Sequence, residues 1–195
     1  MTNTPYAAAV ADRRVVSDIL TEAFMDDPVA RWLFPAPEER RRLQSRFYTH
    51  LLDRDAAEAH LVGRAGASVW LTLTAGQAPD DEGPDAPTMH SIFGDSAPRL
   101  RTLGQALAER HPRREPHLYL ACMGVVGGRQ GTGIGSAMLR HGLERAAGRA
   151  AYLEASSARS RALYLRHGFE DLGEPVQLPD GPPLWPMWRP QGDAR

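Results

Sequence analysis

The run Gln130 to Ser136, which reads Gln-Gly-Thr-Gly-Ile-Gly-Ser, has the composition of a phosphate-binding loop. It follows the apolar run Leu118 to Val126, which predicts a central strand, and precedes Ala137 to Ala147, which predicts a helix. The first amides of a helix have no internal partner, and the helix dipole favours negative charge there. Because glycines also let the backbone approach an anion closely, the sequence predicts a phosphate or pyrophosphate site.

Two common phosphate loops do not match this run. All 23 basic residues are arginine, which excludes a P-loop because that motif needs a lysine. The glycines at 131, 133 and 135 do not keep dinucleotide spacing, although Glu154 stands close to the place where that motif has its acidic residue. The third interpretation is the pyrophosphate loop of acetyl-CoA transferases.

A second landmark makes this interpretation specific. Val125 followed by Gln130-x-x-Gly133-x-Gly135 resembles the acetyl-CoA signature of the GNAT superfamily, and residues 162–169 (Ala-Leu-Tyr-Leu-Arg-His-Gly-Phe) resemble its downstream landmark. Residues 111–190 also resemble the puromycin N-acetyltransferase group of that superfamily. The resemblance implies an α/β fold with a mixed, mostly antiparallel central sheet, flanking helices and a splay between strands 4 and 5. It also implies direct transfer of an acetyl group from acetyl-CoA to an amine.

The resemblance assigns the cofactor-binding residues to three places: the end of strand 4, the glycine loop and the helix after strand 5. Backbone groups of strand 4 would pair with the pantetheine arm, and the loop would wrap the pyrophosphate. Ser160 stands where the family often has an asparagine that contacts the cofactor. The predicted cofactor-binding residues are Met123, Gly124, Val125, Gln130, Gly131, Thr132, Gly133, Ile134, Gly135, Ser136 and Ser160.

Two residues are predicted to be catalytic. The resemblance makes Tyr164 the proton donor to the departing CoA thiolate, a role that a phenol can fill; packing against Leu163 and Phe169 is the alternative. The general base is left open between the carboxylate of Glu154, placed by its strand near the cleft, and several other side chains. Those alternatives are Tyr119, His117, Asp26 and Asp27.

The acceptor substrate is predicted to enter opposite the cofactor and to contact Phe24, Asp27, Trp32 and Tyr119. Phe34 and residues 88–93 are also expected to line its pocket. Aromatic rings and a few acids suit a cationic amine on an apolar body, although core packing would explain the same residues. Acidic residues Asp80 to Glu82 are expected to lie in a loop over this pocket. The leading prediction is therefore a small-molecule N-acetyltransferase, possible substrates including aromatic or antibiotic-like amines. The alternatives are a protein or peptide N-acetyltransferase and a non-catalytic acyl-CoA-binding sensor.

Composition limits the partners, metal sites and cellular location that we expect. The 195 residues carry a formal net charge of −1, which argues against nucleic acid as the main partner. The single cysteine, Cys122, excludes an intramolecular disulfide and a cysteine-based zinc site, and its apolar surroundings predict a buried thiol. No signal peptide or run of about 20 apolar residues is found. We expect one cytoplasmic domain over residues 1–195, a monomer or homodimer, with no metal and no membrane partner.

The remaining elements are predicted from periodicity and from turn residues. Strands are expected at 6–10, 58–63, 67–73 and 151–155, with a terminal hairpin formed by 169–176 and 184–188. Helices are expected from Asp12, over 29–34, 38–53 and 158–167, and through Leu100 to Leu107, with a loop over 76–87.

Overall fold

The computed structural model describes residues 4–79 and 85–192. Those residues form eight strands: β1 (Tyr6–Ala7), β2 (Ala57–Val62), β3 (Gly66–Leu73), β4 (His117–Val125), β5 (Ala150–Ala155), β6 (Glu170–Asp171), β7 (Val176–Gln177) and β8 (Pro183–Arg189). They also form seven α-helices: α1 (Arg13–Ala23), α2 (Pro28–Leu33), α3 (Pro37–Leu52), α4 (Ala86–Phe93), α5 (Ala97–Arg110), α6 (Ile134–Arg145) and α7 (Ala158–Leu165).

The strands make one mixed sheet in the order β1-β2-β3-β4-β5-β8-β6, and β7 pairs with β8 outside this path. Every pair is antiparallel except β4 with β5. These two strands are joined through α6, as a parallel pair requires a crossover connection. The predicted mixed, mostly antiparallel α/β sheet is confirmed.

Strand β4 is the centre of the sheet and carries its main irregularity. Against β3, Val69 pairs with Cys122 but Trp70 pairs with Leu120, so Ala121 is an additional residue on β4. Such a bulge bends the strand and re-aims the residues that follow it. Beyond the bulge, β4 continues to Val125 beside β3 alone.

The pairing of β4 with β5 covers only three positions, from His117 with Ala150 to Tyr119 with Tyr152. Beyond the third position, Leu120–Val125 of β4 and Leu153–Ala155 of β5 diverge. The predicted splay between strands 4 and 5 is therefore present, and it begins next to the bulge.

Helices cover both faces of the sheet. On one face, α1 and α3 enclose a core that includes Leu20, Leu61, Val69 and Tyr152. On the other face, α6 and α7 bury Leu139, Leu153 and Phe169 together with other residues. Helix α6 lies very close to the sheet because Gly142 faces the indole of Trp70, where a Cβ atom would come within 2.4 Å of the ring.

Four predicted elements differ from the structure. The strand expected at 6–10 is limited to β1, because Val10–Asp12 form a 3-10 helix. Helix α6 begins at Ile134, three residues before the predicted start, so Gly135 and Ser136 belong to its first turn. Helix α4 was not predicted; Asp85 caps it by accepting a hydrogen bond from the Thr88 amide. The stretch 169–176 is not one strand but contains β6 and the start of β7, both paired with β8. The predicted acidic cover, Asp80 to Glu82, lies outside the described residues.

Candidate active site

The splay between β4 and β5 provides backbone groups for a ligand. Met123, Gly124 and Val125 pair with β3 on one edge and have diverged from β5 on the other. Backbone N–H and C=O groups need partners, so an edge of this kind can pair with an extended ligand. Gly124 also permits close packing, since a Cβ atom would lie 2.7 Å from that of Ala23 at the end of α1.

The glycine loop has a backbone that other residues rarely adopt. Gly131 and Gly133 have φ values of +79° and +85°, and Gly133 is the residue immediately before α6. Ile134 is fully buried and packs with Val62 and Met138, which fixes the position of the first helical turn. The first amides of a helix and its dipole favour an anion at this position, so the anion site expected here from the sequence stays a prediction that this geometry permits.

Polar contacts hold the loop against β4 and α7. The side-chain amide of Gln130 donates to the Val125 carbonyl oxygen at 3.1 Å, and Arg159 Nη1 donates to Gln130 Oε1 at 2.9 Å. Thr132 Oγ1 donates to the Arg129 carbonyl oxygen at 2.7 Å. Arg159 therefore brings a positive charge to the loop, although no periodicity or motif indicated this role.

Ser160 is engaged within its own helix. Its hydroxyl lies 2.9 Å from the Ser157 carbonyl oxygen, to which it donates, and the Ser157 hydroxyl accepts from the Ser160 amide at 3.1 Å. The two serines form a reciprocal cap at the start of α7. A cofactor contact by Ser160 remains a prediction, and in this structure the hydroxyl stabilises the helix N-terminus.

Tyr164 is buried on α7, with its ring centroid 5.9 Å from that of Phe169. Burial raises the pKa of its phenol, and the nearby Cys122 and Asp27 raise it further. The phenol therefore stays protonated near neutral pH and can act as a proton donor. No hydrogen bond joins its hydroxyl to another of the described residues, so its proton is not committed to an acceptor in that part of the chain.

Glu154 is bonded to a neighbouring strand. Tyr119 donates its phenolic proton to Glu154 Oε2 at 2.8 Å, across the last paired position of β4 and β5. Tyr152 stacks on Tyr119 with ring centroids 5.9 Å apart. Burial raises the pKa of the Tyr152 phenol, as does its proximity to Glu154. The structure thus places the predicted Glu154 and Tyr119 together at the edge of the splay.

His117, another candidate base, has both ring nitrogens within hydrogen-bonding distance of neighbouring protein groups. Its Nδ1 lies 2.9 Å from the Glu115 carbonyl oxygen and must donate to it, because a carbonyl can only accept. Its Nε2 lies 3.0 Å from His111 Nε2. Burial lowers the pKa of His117, so the ring is held neutral within this pair.

Asp27 joins the start of α2 to the end of β5. Its Oδ1 accepts hydrogen bonds from the amides of Val29 and Ala30 at 2.9 and 3.1 Å, and its Oδ2 accepts from Ser156 Oγ at 2.9 Å. Burial raises the pKa of the Asp27 carboxyl, although these hydrogen bonds oppose the shift. Asp27 therefore has a structural capping role and lies on the wall of a cavity.

That cavity has a volume of about 450 Å³ and reaches the splay, because residues from β4 and from the end of β5 line it. Its walls are mainly apolar and come from α2, α3, α4 and α5. Six aromatic residues contribute to the lining: Phe24, Phe34, Phe47, Tyr48, Phe93 and Tyr119. The lining also includes the carboxylates of Asp27 and Glu154 and the thiol of Cys122, whose pKa burial raises to about 12.

Three of the four predicted acceptor residues, Phe24, Asp27 and Tyr119, line this cavity. Trp32 does not. Its indole N–H donates to the Pro179 carbonyl oxygen at 2.9 Å, and the Arg99 guanidinium lies 5.6 Å from its ring centroid. Trp32 also packs closely against Gly181, so it connects α2 to the loop before β8.

The sequence did not identify the contribution of α3 to the cavity. Tyr48 and Gln44 are nearly fully buried and line it, together with Phe47. A signal was available, because Gln44 lies four and seven residues before Tyr48 and Leu51 on one helical face. A polar residue on the apolar face of a helix indicates a cavity wall only when it is known what that face packs against.

The family profile described as the acetyltransferase (GNAT) family matches residues 17–169. The chain belongs to this family.

Several solved structures have a similar fold. A protein of Corynebacterium glutamicum, described as histone acetyltransferase HPA2 and related acetyltransferase, is 31% identical, with a TM-score of 0.74 over 97% of this chain and 96% of that one. Arylalkylamine N-acetyltransferase 2 of Aedes aegypti is 13% identical, with a TM-score of 0.65 over 96% and 98% of the two chains. Polyamine N-acetyltransferase of Drosophila melanogaster is 14% identical, with a TM-score of 0.67 over 95% and 96%. The last two similarities concern the fold alone.

Within residues 4–79 and 85–192, no group of three or more histidine, cysteine, aspartate or glutamate side chains is arranged to hold a metal ion. No helix in the same ranges is long and apolar enough to cross a bilayer.

Proposed function

We propose that this protein is an acetyl-CoA-dependent N-acetyltransferase whose acceptor is a small amine with an apolar body. The observation that carries the proposal is the aromatic cavity of about 450 Å³ that reaches the splay and has Asp27 and Glu154 in its lining. Small-molecule sites have this size and this mixture of apolar walls with a few polar groups. The family membership supports acetyl-CoA as the donor.

The residues around the loop fit the charge of that donor. Acetyl-CoA, when bound, supplies an acetyl group activated as a thioester. The positive φ angles of Gly131 and Gly133 turn the loop toward the N-terminus of α6, and Arg159 adds a positive charge. The free edge of β4 at residues 123–125 is available to the extended part of the molecule.

Tyr164 supplies the proton in this proposal. A neutral phenol can protonate a departing thiolate, and its raised pKa keeps Tyr164 in the neutral form before the reaction. Tyr164 lies on α7, and Cys122, which contributes to its raised pKa, lies on the splayed part of β4. The proton would therefore be delivered from the α7 face of the sheet.

Glu154 is the proposed general base. Its carboxylate lines the acceptor cavity, and the hydrogen bond from Tyr119 fixes its orientation. An amine must lose a proton before or while it attacks, and a positioned carboxylate can accept that proton. Asp27 is the less suitable base because its two oxygens already accept three hydrogen bonds.

The test is release of CoA from acetyl-CoA with a panel of amines, including phenethylamine, puromycin, agmatine, spermidine and a short peptide. Puromycin is included because of the sequence resemblance. We expect turnover with apolar monoamines, and a loss of about 100-fold or more in kcat for Tyr164→Phe, as is typical for removal of a general acid. Preference for the peptide would indicate a protein acetyltransferase. Tight acetyl-CoA binding without turnover of any amine would indicate a sensor.

A further inference from the structure

Helix α3 presents two buried polar side chains to the acceptor cavity. Gln44 and Tyr48 are 1% and 4% exposed, and both line the cavity. They are four residues apart, which places their Cβ atoms about 5–6 Å from each other on the same face of the helix. The two groups therefore form a short polar strip, here called the α3 strip, in a wall that is otherwise mainly apolar.

The amide of Gln44 is only partly satisfied. Its Nε2 lies 3.5 Å from the thioether sulfur of Met25, a weak acceptor, and its Oε1 has no hydrogen-bond partner among the described residues. Reversing the amide would place its oxygen against the sulfur and leave the NH₂ group unpaired instead. Either orientation leaves a buried polar atom without a partner, which destabilises the folded protein.

The hydroxyl of Tyr48 is also uncommitted. No hydrogen bond joins it to another of the described residues, and Tyr48 as a whole is 4% exposed. Burial raises the pKa of this phenol, and Cys122 and Asp27 raise it further, so the group is a neutral hydroxyl that can donate or accept. Its ring contacts are aromatic, with centroid distances of 6.1 Å to Phe24 and 5.4 Å to Phe47.

Packing alone does not account for the α3 strip. Leucine and phenylalanine have nearly the same shapes as glutamine and tyrosine, and they would line an apolar cavity without leaving polar atoms unpaired. Polar groups that reduce stability are commonly kept where they serve binding.

We infer that Gln44 and Tyr48 are specificity-determining residues that hydrogen-bond to a hydroxyl or amide N–H group on the acceptor amine. This inference rests on the proposed function and narrows its substrate class. The acceptor has three parts: the reactive amine, an apolar body and a separate hydrogen-bond donor facing α3. A site built to pair with such a donor discriminates against the analogue that lacks it, because the protein group then stays buried and unpaired.

The first arm of the test combines variants with matched amines. We would measure kcat/KM of the wild type, Gln44→Leu and Tyr48→Phe for phenethylamine, for tyramine, which adds a ring hydroxyl, and for phenylalaninamide, which adds an amide. For at least one donor-bearing amine, the loss in each variant should exceed the loss for phenethylamine by about tenfold or more. Equal losses for all three amines would overturn the inference.

The second arm does not depend on turnover. Because Gln44→Leu removes an unpaired buried oxygen, the free variant should melt at a higher temperature than the wild type. The same replacement at the exposed Gln177 of β7 is the matched control and should not raise the melting temperature. A lower melting temperature for Gln44→Leu would show a structural role and overturn the inference.

The two proposals fail in different ways. If the wild type acetylates none of the amines, the proposed function fails. The kinetic arm is then replaced by calorimetric measurement of the binding of the same three amines to the wild type and to Gln44→Leu. Loss of selective binding of tyramine or phenylalaninamide would then support the α3 strip as a binding site. Equal binding of all three amines by both proteins would overturn it.

Discussion

The two sides of the splay use different kinds of binding group. On the cofactor side, the binding groups are mainly backbone amides, positioned by Gly131 and Gly133 and by the N-terminus of α6. On the acceptor side, they are side chains from four helices and from the strand ends, gathered around one cavity. A site formed by backbone amides depends on a few consecutive residues that set the backbone conformation. A site formed by side chains depends on the folding together of segments that are distant in sequence. The difference explains why one side carries a motif and the other does not.

The largest effect expected on the acceptor side is at Glu154. Replacing it with glutamine keeps the shape of the side chain but removes the proposed base, so kcat/KM for the amine should fall by about 100-fold. The KM for acetyl-CoA should change by less than about twofold, since Glu154 contacts the acceptor cavity. Steady-state kinetics with each substrate varied in turn measures both values. A comparable rise in the KM for acetyl-CoA would show that Glu154 does not act on the acceptor side alone.

An effect about ten times smaller is expected on the cofactor side, at Gly133. An alanine at a positive φ is strained by about 1–2 kcal/mol, so the free loop should relax. Acetyl-CoA binding must then restore the strained conformation and should weaken roughly tenfold. Calorimetric titration with acetyl-CoA tests this prediction. Gly128→Ala is the control, because Gly128 has open space around it and its φ is not in the positive region. Equal effects of the two substitutions would show that backbone conformation at Gly133 is not the cause.

Ser156→Ala should have a smaller effect and act on the acceptor side. It removes one of the three hydrogen bonds accepted by Asp27 and leaves the two from the α2 amides. The free energy of unfolding should fall by about 1 kcal/mol, and the KM for the amine should rise a few-fold. Urea unfolding and amine titrations measure these changes. An unchanged KM would show that Asp27 serves α2 alone.

The smallest effect concerns the pH dependence of stability. Because burial raises the Asp27 pKa above its ordinary value of 3.8, the native state holds this proton at pH values where the unfolded state has lost it. The contribution of Asp27 to stability is therefore greatest below 3.8 and is lost as the pH rises through the raised pKa. Asp27→Asn keeps a good helix cap without titrating. Urea unfolding between about pH 4 and about pH 7 should show wild type losing stability relative to Asp27→Asn as pH rises. A constant difference would contradict the prediction.

What could be predicted from the sequence follows the same division. The mixed sheet and the glycine loop were predictable because the apolar runs, the turn residues and the motif are local. Helix α4 was not predicted, since its polar N-terminal cap, Asp85, lies at the end of a proline- and glycine-rich stretch. Trp32 was expected in the cavity because an aromatic ring suits a cationic amine, but the loop at Gly181 provides its packing partner.

The acceptor wall shows the same limit more sharply. Gln44, Leu100 and Ser156 are more than 40 residues apart in sequence, and only the folded chain brings them to one cavity. Periodicity indicates which face of α3 is buried but not whether that face meets the core or a cavity. The role of Arg159 was hidden for a related reason, because its partner Gln130 is on a different element.

The short pairing of β4 with β5 has a consequence for how the molecule opens. The sheet consists of an N-terminal part, β1 to β4, and a C-terminal part, β5 with β8, β6 and β7, joined by three backbone register positions. Among the junctions between its longer strands, this one has the fewest ladder positions, so it is the natural boundary between two cooperative unfolding units. A ligand lying across both parts would join these units, and amide hydrogen exchange at residues 120–125 and 153–155 should slow together when it binds.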